Sequence, residues 1–191
     1  MGSVSFTKDY PYIWERHLDP RQIGILLCRL IMNVLFLCTG NSCRSILAEA
    51  TFNHLAPKGW HAMSAGSKPT GQVHPRSLAL LEREGISTEG LFSKSWENLP
   101  ETPDIVITVC GNADKETCPV YLGSALRTHW GVADPAKATG TEEEINAAFE
   151  RAYRILRARI EFFFESSIEE LIKSKSPSLQ RRLDNIGVLR F

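Results

Sequence analysis

The chain predicts an α/β fold in which a parallel β-sheet is covered by helices on both faces. Three observations carry this. The runs "NVLFLC" at 33–38 and "DIVITVC" at 104–110 are short, continuously apolar and rich in β-formers, as buried parallel strands are. Segments with helical periodicity alternate with such runs, the order that builds parallel sheets through right-handed crossovers. The residues able to do chemistry cluster just after strand ends, the edge at which sheets of this class bind ligands.

The first strand, 33–38, runs into a turn at 39–44 and then a helix from about Ser45 to Leu55, with Ile46, Leu47, Ala50 and Leu55 on one face. "WHAMSAG" at 60–66 reads as a second strand. "HPRSLALLEREG" opens a helix on Pro75 and ends it on Gly85. The run 104–110 is the clearest central strand, and "RTHWGVA" at 127–133 is a fourth. A long helix follows, opened by a capping box of Thr141 and Glu144, with Ile145, Phe149, Ala152, Leu156 and Phe163 along its apolar side. A shorter piece from Ile168 and a last helix near "SPSLQRRL" complete the order.

Composition narrows the function. The 191 residues are 43% hydrophobic and 23% charged, an ordinary globular mixture for one domain. Lys plus Arg equals Asp plus Glu at 22 each, so no global field draws the chain to nucleic acid or an acidic membrane. Anion recognition must then be local. The five cysteines, Cys28, Cys38, Cys43, Cys110 and Cys118, are an odd set for a secreted disulfide scaffold and lack zinc-site spacing, so no metal is expected. Working thiols in a reducing cytoplasm fit better. The apolar stretch 23–32 is interrupted by Arg29 and is too short to span a bilayer. Residues 1–31 read as an N-terminal extension of unassigned role, 32–166 as the domain proper, and 167–191 as a helical C-terminal extension; Met32 could serve as an alternative start.

The turn "CTGNSCRS" at 38–45 concentrates the chemistry. A loop between a strand and a helix N-terminus aims several backbone N–H groups at one point, where the helix dipole favours an oxyanion. The amides and side chains of Thr39, Gly40, Asn41, Ser42, Cys43, Arg44 and Ser45 would form that cradle. Gly40 lets the backbone turn, and Asn41 tolerates left-handed geometry. Arg44 offers a planar fork to two oxygens. The same field favours the Cys38 thiolate, placed for in-line attack on the central atom, and Ser45 could donate to its sulfur. A structural cysteine beside a surface arginine is the plainer reading of Cys-x5-Arg alone, but strand, glycine, asparagine, serine and helix all agree here.

"CTGNSCRS" with "ILAEA", "SAG" at 64–66 and "WGVADPA" at 130–136 resembles the low-molecular-weight tyrosine phosphatase superfamily, from about Met32 to Phe164. "VITVCGNADKETCP" is similar to the arsenate reductases built on that fold. The resemblance implies a flavodoxin-like, four-stranded sheet of order 2-1-3-4, a Cys-x5-Arg nucleophile loop, and a general acid at Asp134. It also implies resolving thiols at Cys110 and Cys118. Cys110 would attack Cys38 and Cys118 would then attack Cys110, leaving a disulfide for an external reductant. Arsenate is the implied substrate, with thioredoxin or glutaredoxin/glutathione as electron donor and no bound cofactor. The Cys110–Cys118 spacing differs by one residue from the type pattern, so the donor stays open.

A phosphatase would share Cys38, Arg44 and Asp134 and use water in place of the second thiol. "DPAKATG" lacks the tyrosines that such phosphatases carry after Asp-Pro, which suits a small inorganic oxyanion better than phosphotyrosine. A non-catalytic anion-binding or redox-sensing module would have no need of all three residues. Cys43 is expected to be structural, and Cys28 lies outside the resemblance.

Overall fold

A computed structural model describes residues 31–111, 125–166, 168 and 178–190. Cys118, the N-terminal extension as far as residue 30, and most of 167–177 lie outside the described residues. Four strands form one sheet: β1 (Met32–Cys38), β2 (Trp60–Gly66), β3 (Ile105–Thr108) and β4 (Leu126–His129). All neighbouring pairs are parallel and the order is β2-β1-β3-β4, as expected. The register sets Cys38 opposite Gly66 and Leu37 opposite Thr108, which brings three strand ends to one edge.

Strand alternation divides the core. Val34, Phe36, Ile105 and Ile107 point to the main helical side, while Leu35, Leu37, Met63, Ala65 and Val106 form a smaller cluster on the other, with Trp96 and Leu99 packed against it. Helix α1 (Arg44–Leu55) is buried almost continuously from Arg44 to Phe52, rather than along one stripe. It lies between the sheet and other helices, so Glu49 and Thr51 go inside with the apolar residues.

Helix α2 (Pro75–Arg83) begins on Pro75, with the His74 ring accepting from Arg76 N–H at 3.2 Å, and stops before Gly85 at φ 72°. Helix α3 (Glu142–Glu165) has the predicted capping box in both directions. Its buried side, Phe149, Ala152, Leu156, Ile160 and Phe163, reaches the sheet. There Phe163 and Phe164 meet Phe52 and Trp60 at ring-centroid distances of 4.7–6.1 Å, the range of edge-to-face and tilted aromatic contacts.

Two strands are shorter than the sequence suggests. β3 stops at Thr108, although Val109 N–H still donates to Leu37 O at 2.8 Å. β4 stops at His129; Trp130 and Val132 keep single bonds to Thr108 O and Val109 O and then diverge. Apolar character continues past both ladders because these residues cap the core, so hydrophobicity alone overshoots the strand ends. Helix α4 (Ser178–Val188) closes the β4 side through Leu179, Leu183 and Ile186. Thr128 Oγ1 donates to Asp184, Gln180 Nε2 to Arg127 O, and Trp130 Nε1 to Leu183 O.

Candidate active site

Cys38 ends β1, and residues 39–43 make the turn into α1. The carbonyls of Cys38, Thr39, Gly40 and Ser42 are each taken by an N–H from the segment 67–74: Ser67 at 3.3 Å, Lys68 at 2.9 Å, Thr70 at 3.0 Å and His74 at 3.0 Å. Because a peptide's C=O and N–H point opposite ways, pinning these carbonyls outward turns the next N–H groups inward. Two of those amides already meet sulfur. Asn41 N–H donates to Cys38 Sγ at 3.1 Å and Thr39 N–H to Cys110 Sγ at 3.2 Å.

The left-handed residue of the turn is Asn41, at φ 43°. Gly40 has no such conformation, and the glycine the site cannot exchange is Gly66 of "SAG". A β-carbon there would stand 2.5 Å from Thr39 O and 3.0 Å from Asn41 N.

Asn41 is wholly buried and its amide is fully engaged. Nδ2 donates to Ser45 Oγ at 2.9 Å and Ser64 Oγ at 2.7 Å, and Oδ1 accepts from Lys94 N–H at 2.7 Å. Ser45 Oγ in turn lies 3.0 Å from Cys38 Sγ.

The Cys38 thiol is drawn down to about 6. Its hydrogen bond with Cys110 is the largest cause, followed by those from Ser45 and Asn41 and by the Arg44 charge, all against the opposing effect of burial. Cys110 moves the other way: the same bond and its own burial hold its proton on. The two thiols titrate as a coupled pair, with Cys38 favoured as the thiolate side and Cys110 as the protonated side. Cys43, buried in the loop, is pushed up mainly by desolvation, as an inert thiol would be.

Arg44 is buried at the first turn of α1. Nη1 donates to Val132 O at 3.1 Å, and Nη2 pairs with Asp134 Oδ2 at 2.7 Å. Its Nε–H is buried without a partner among the described residues. Asp134 caps the 3-10 turn Pro135–Lys137, its Oδ1 accepting from Ala136 N–H. Of the residues singled out in the sequence, Cys38, Arg44, Asp134, Cys110 and the whole 39–45 turn thus converge on one sheet edge, while Cys118 lies outside the described residues.

The sequence model of the low molecular weight phosphotyrosine protein phosphatases matches residues 33–176. The chain belongs to this family. Within it, the chain is similar to proteins named arsenate reductase: that of Shouchella clausii is 38% identical over 134 residues, 70% of this chain and 95% of that protein. The arsenate reductase of Bacillus subtilis is 36% identical over the same shares. Among solved structures, the arsenate reductase of Archaeoglobus fulgidus aligns at a TM-score of 0.58 and 25% identity, over 68% of this chain and 97% of that one. An arsenate reductase in a phosphate-binding state aligns at 0.61 and 26%, over 71% and 98%.

Three residues linked to Asn41 of the turn were not legible as its partners: Ser64 and the Lys94 N–H, which bond to it directly, and Glu49, which accepts from Ser64. Ser64 stood inside "SAG" as a motif letter only. Glu49 carried one usable signal, an acidic residue in the otherwise apolar "ILAEATF", which asks for a buried partner.

Proposed function

We propose that this protein is an arsenate reductase working in the cytoplasm through a thiol relay over Cys38, Cys110 and Cys118. The observation that carries the proposal is a second sulfur at the nucleophile loop: Cys110 Sγ accepts the Thr39 N–H at 3.2 Å, on the residue next to Cys38. A phosphatase needs only water at that place; a reductase needs a second sulfur within reach. The arsenate reductases among the relatives support the same choice.

In the proposed reaction the loop amides and Arg44 hold arsenate over Cys38. The thiolate attacks arsenic, forming an S–As bond. One As–O bond breaks, and its oxygen leaves as water with Asp134 as the proton donor. The negative charge beside the Cys110 thiol is then consumed, so Cys110 can give its proton to the Asp134 carboxylate left by the first step just when a target exists. Its sulfur attacks Cys38 Sγ, and the S–As pair stays on arsenic, which falls from As(V) to As(III) and departs as arsenite. The two sulfurs, oxidised together, form a disulfide. Cys118 attacks Cys110, regenerates the Cys38 thiolate and leaves a Cys110–Cys118 disulfide for thioredoxin or glutaredoxin/glutathione.

The test is NADPH consumption with arsenate, thioredoxin and thioredoxin reductase, with a parallel arm supplying glutathione and glutaredoxin. Arsenate-dependent turnover in one arm, lost by at least about 100-fold in Cys118→Ser, is expected where a nucleophile of the cycle is removed. Rapid aryl phosphate hydrolysis without arsenate turnover would assign the site to the phosphatase reaction instead.

A further inference from the structure

Below the nucleophile loop lies a buried ion pair that no step of the reaction uses. Lys94 Nζ stands 3.4 Å from both carboxylate oxygens of Glu49, and the two side chains are only 9% and 11% exposed. A buried pair like this is a poor source of stability, because desolvating both charges offsets their attraction. Its place in the surrounding hydrogen bonds points to another use.

Glu49 Oε2 accepts from Ser64 Oγ at 2.6 Å. A carboxylate can only accept, so the Ser64 proton faces Glu49 and the Ser64 oxygen accepts from Asn41 Nδ2 at 2.7 Å. On the other side of the same amide, Asn41 Oδ1 accepts from the main-chain N–H of Lys94 at 2.7 Å. The path Lys94 Nζ, Glu49, Ser64, Asn41, Lys94 N–H is therefore a closed ring, and Asn41 is gripped at both ends of its amide.

We propose that the Lys94–Glu49 pair is a positioning element for the nucleophile, closing this ring so that Asn41 is locked in one orientation. Asn41 then delivers two donors to Cys38: its own N–H at 3.1 Å, and the Ser45 hydroxyl, whose oxygen accepts from Asn41 Nδ2 and whose proton is left for the sulfur at 3.0 Å. Held at its φ of 43°, Asn41 also keeps the turn in shape. Lys94 is the element that keeps Glu49 an acceptor. Desolvation raises the Glu49 carboxyl, and the Lys94 ammonium is the largest opposing influence, with Ser64 and His61 adding to it. Around Cys38 itself the titratable and charged neighbours are Cys110 and Arg44, which the ring does not touch.

The proposal rests on Cys38 being the nucleophile, and its test needs no substrate, so an enzyme inert toward arsenate leaves it decidable. The readout is the pH dependence of Cys38 alkylation by iodoacetamide in the full chain, with the modified peptide identified by mass. Lys94→Met and Ser64→Ala each open the ring, one at the charge and one at a neutral link. Both should raise the Cys38 midpoint by about one pH unit or more, as loss of donors to a thiolate does. Lys94→Arg keeps the ammonium's charge and should restore the midpoint to within about 0.3 unit of the parent. Should Lys94→Met fail to fold, Ser64→Ala and the double variant Glu49→Gln/Lys94→Met, which buries no lone charge, decide by the same shift. Folded ring-opened variants whose midpoint stays at the parent's value overturn the proposal.

Discussion

Two groups meet the Cys38 sulfur, the Asn41 N–H at 3.1 Å and the Ser45 hydroxyl at 3.0 Å, and the nearby Cys110 thiol and Arg44 charge add to their effect on its titration. With the thiol drawn down to about 6, the reactive thiolate is the majority form above that pH and declines about tenfold per pH unit below it. Alkylation of Cys38 should therefore rise with pH through about 6 and level off near neutrality, slowed throughout by inorganic phosphate competing for the cradle. Cys43, pushed the opposite way by burial, should react at least about tenfold more slowly at mildly acidic pH. A Cys38 profile with its midpoint near that of an ordinary thiol would contradict the arrangement. At this scale the sequence was readable where function is local. Cys38, Asn41, Arg44 and Ser45 sit within eight residues of one another, and their spacing alone suggests an oxyanion loop. Lys94 was not readable, because it reaches Glu49 across 45 positions and Asn41 across 53. A lysine in "FSKSW" carries no mark of a burial that only tertiary packing creates.

The loop is shaped by the elements beside it as much as by its own residues. Gly66, at the end of β2, donates its N–H to Lys94 O at 2.9 Å and forms a parallel bridge with Ser95, while its α-carbon lies against the turn. Gly66→Ala should force Thr39 and Asn41 to shift, costing about 1–3 kcal/mol of stability as overpacking does. It should also raise the Cys38 alkylation midpoint, measured alongside the thermal melt; a stable protein with unaltered Cys38 titration would show that the backbone yields there. The sequence assigned the turn's steric demand to Gly40, within the motif. The structure moves it to a glycine 26 positions later, since close approach of two strand ends depends on register, which the local pattern does not encode. Element starts fared better than ends. Pro75 and the Thr141–Glu144 box fix helix N-termini by short-range chemistry, whereas the exits of β3 and β4 depend on where neighbours stop pairing.

For the molecule as a whole, alternation of strands and helices was enough to predict a parallel sheet, and the family resemblance supplied its order; both agree with the pairing. Helix α4 was expected only as a last helix near "SPSLQRRL", without its target. That target is β4 and the strand end leading to Asp134. Arg159 donates to both Gly131 O and Leu189 O, joining the chain just past α4 to the approach to Asp134. Leu183 is fully buried in the main core, so Leu183→Ala should cost about 2–5 kcal/mol. Its melting temperature should fall by roughly 5–15 °C. The Cys38 midpoint should not move, since the sulfur's donors lie elsewhere; a shifted midpoint at full stability would reverse that division of roles.

Gln180 holding the Arg127 carbonyl has a colloidal consequence. The outermost strand of an open sheet is a template on which another molecule can add, and here a helix supplied by the same chain sits in that place. Molecules in which α4 has peeled away would have an open docking rail, and crowded together they would aggregate along it while the Cys38 sulfur stayed intact.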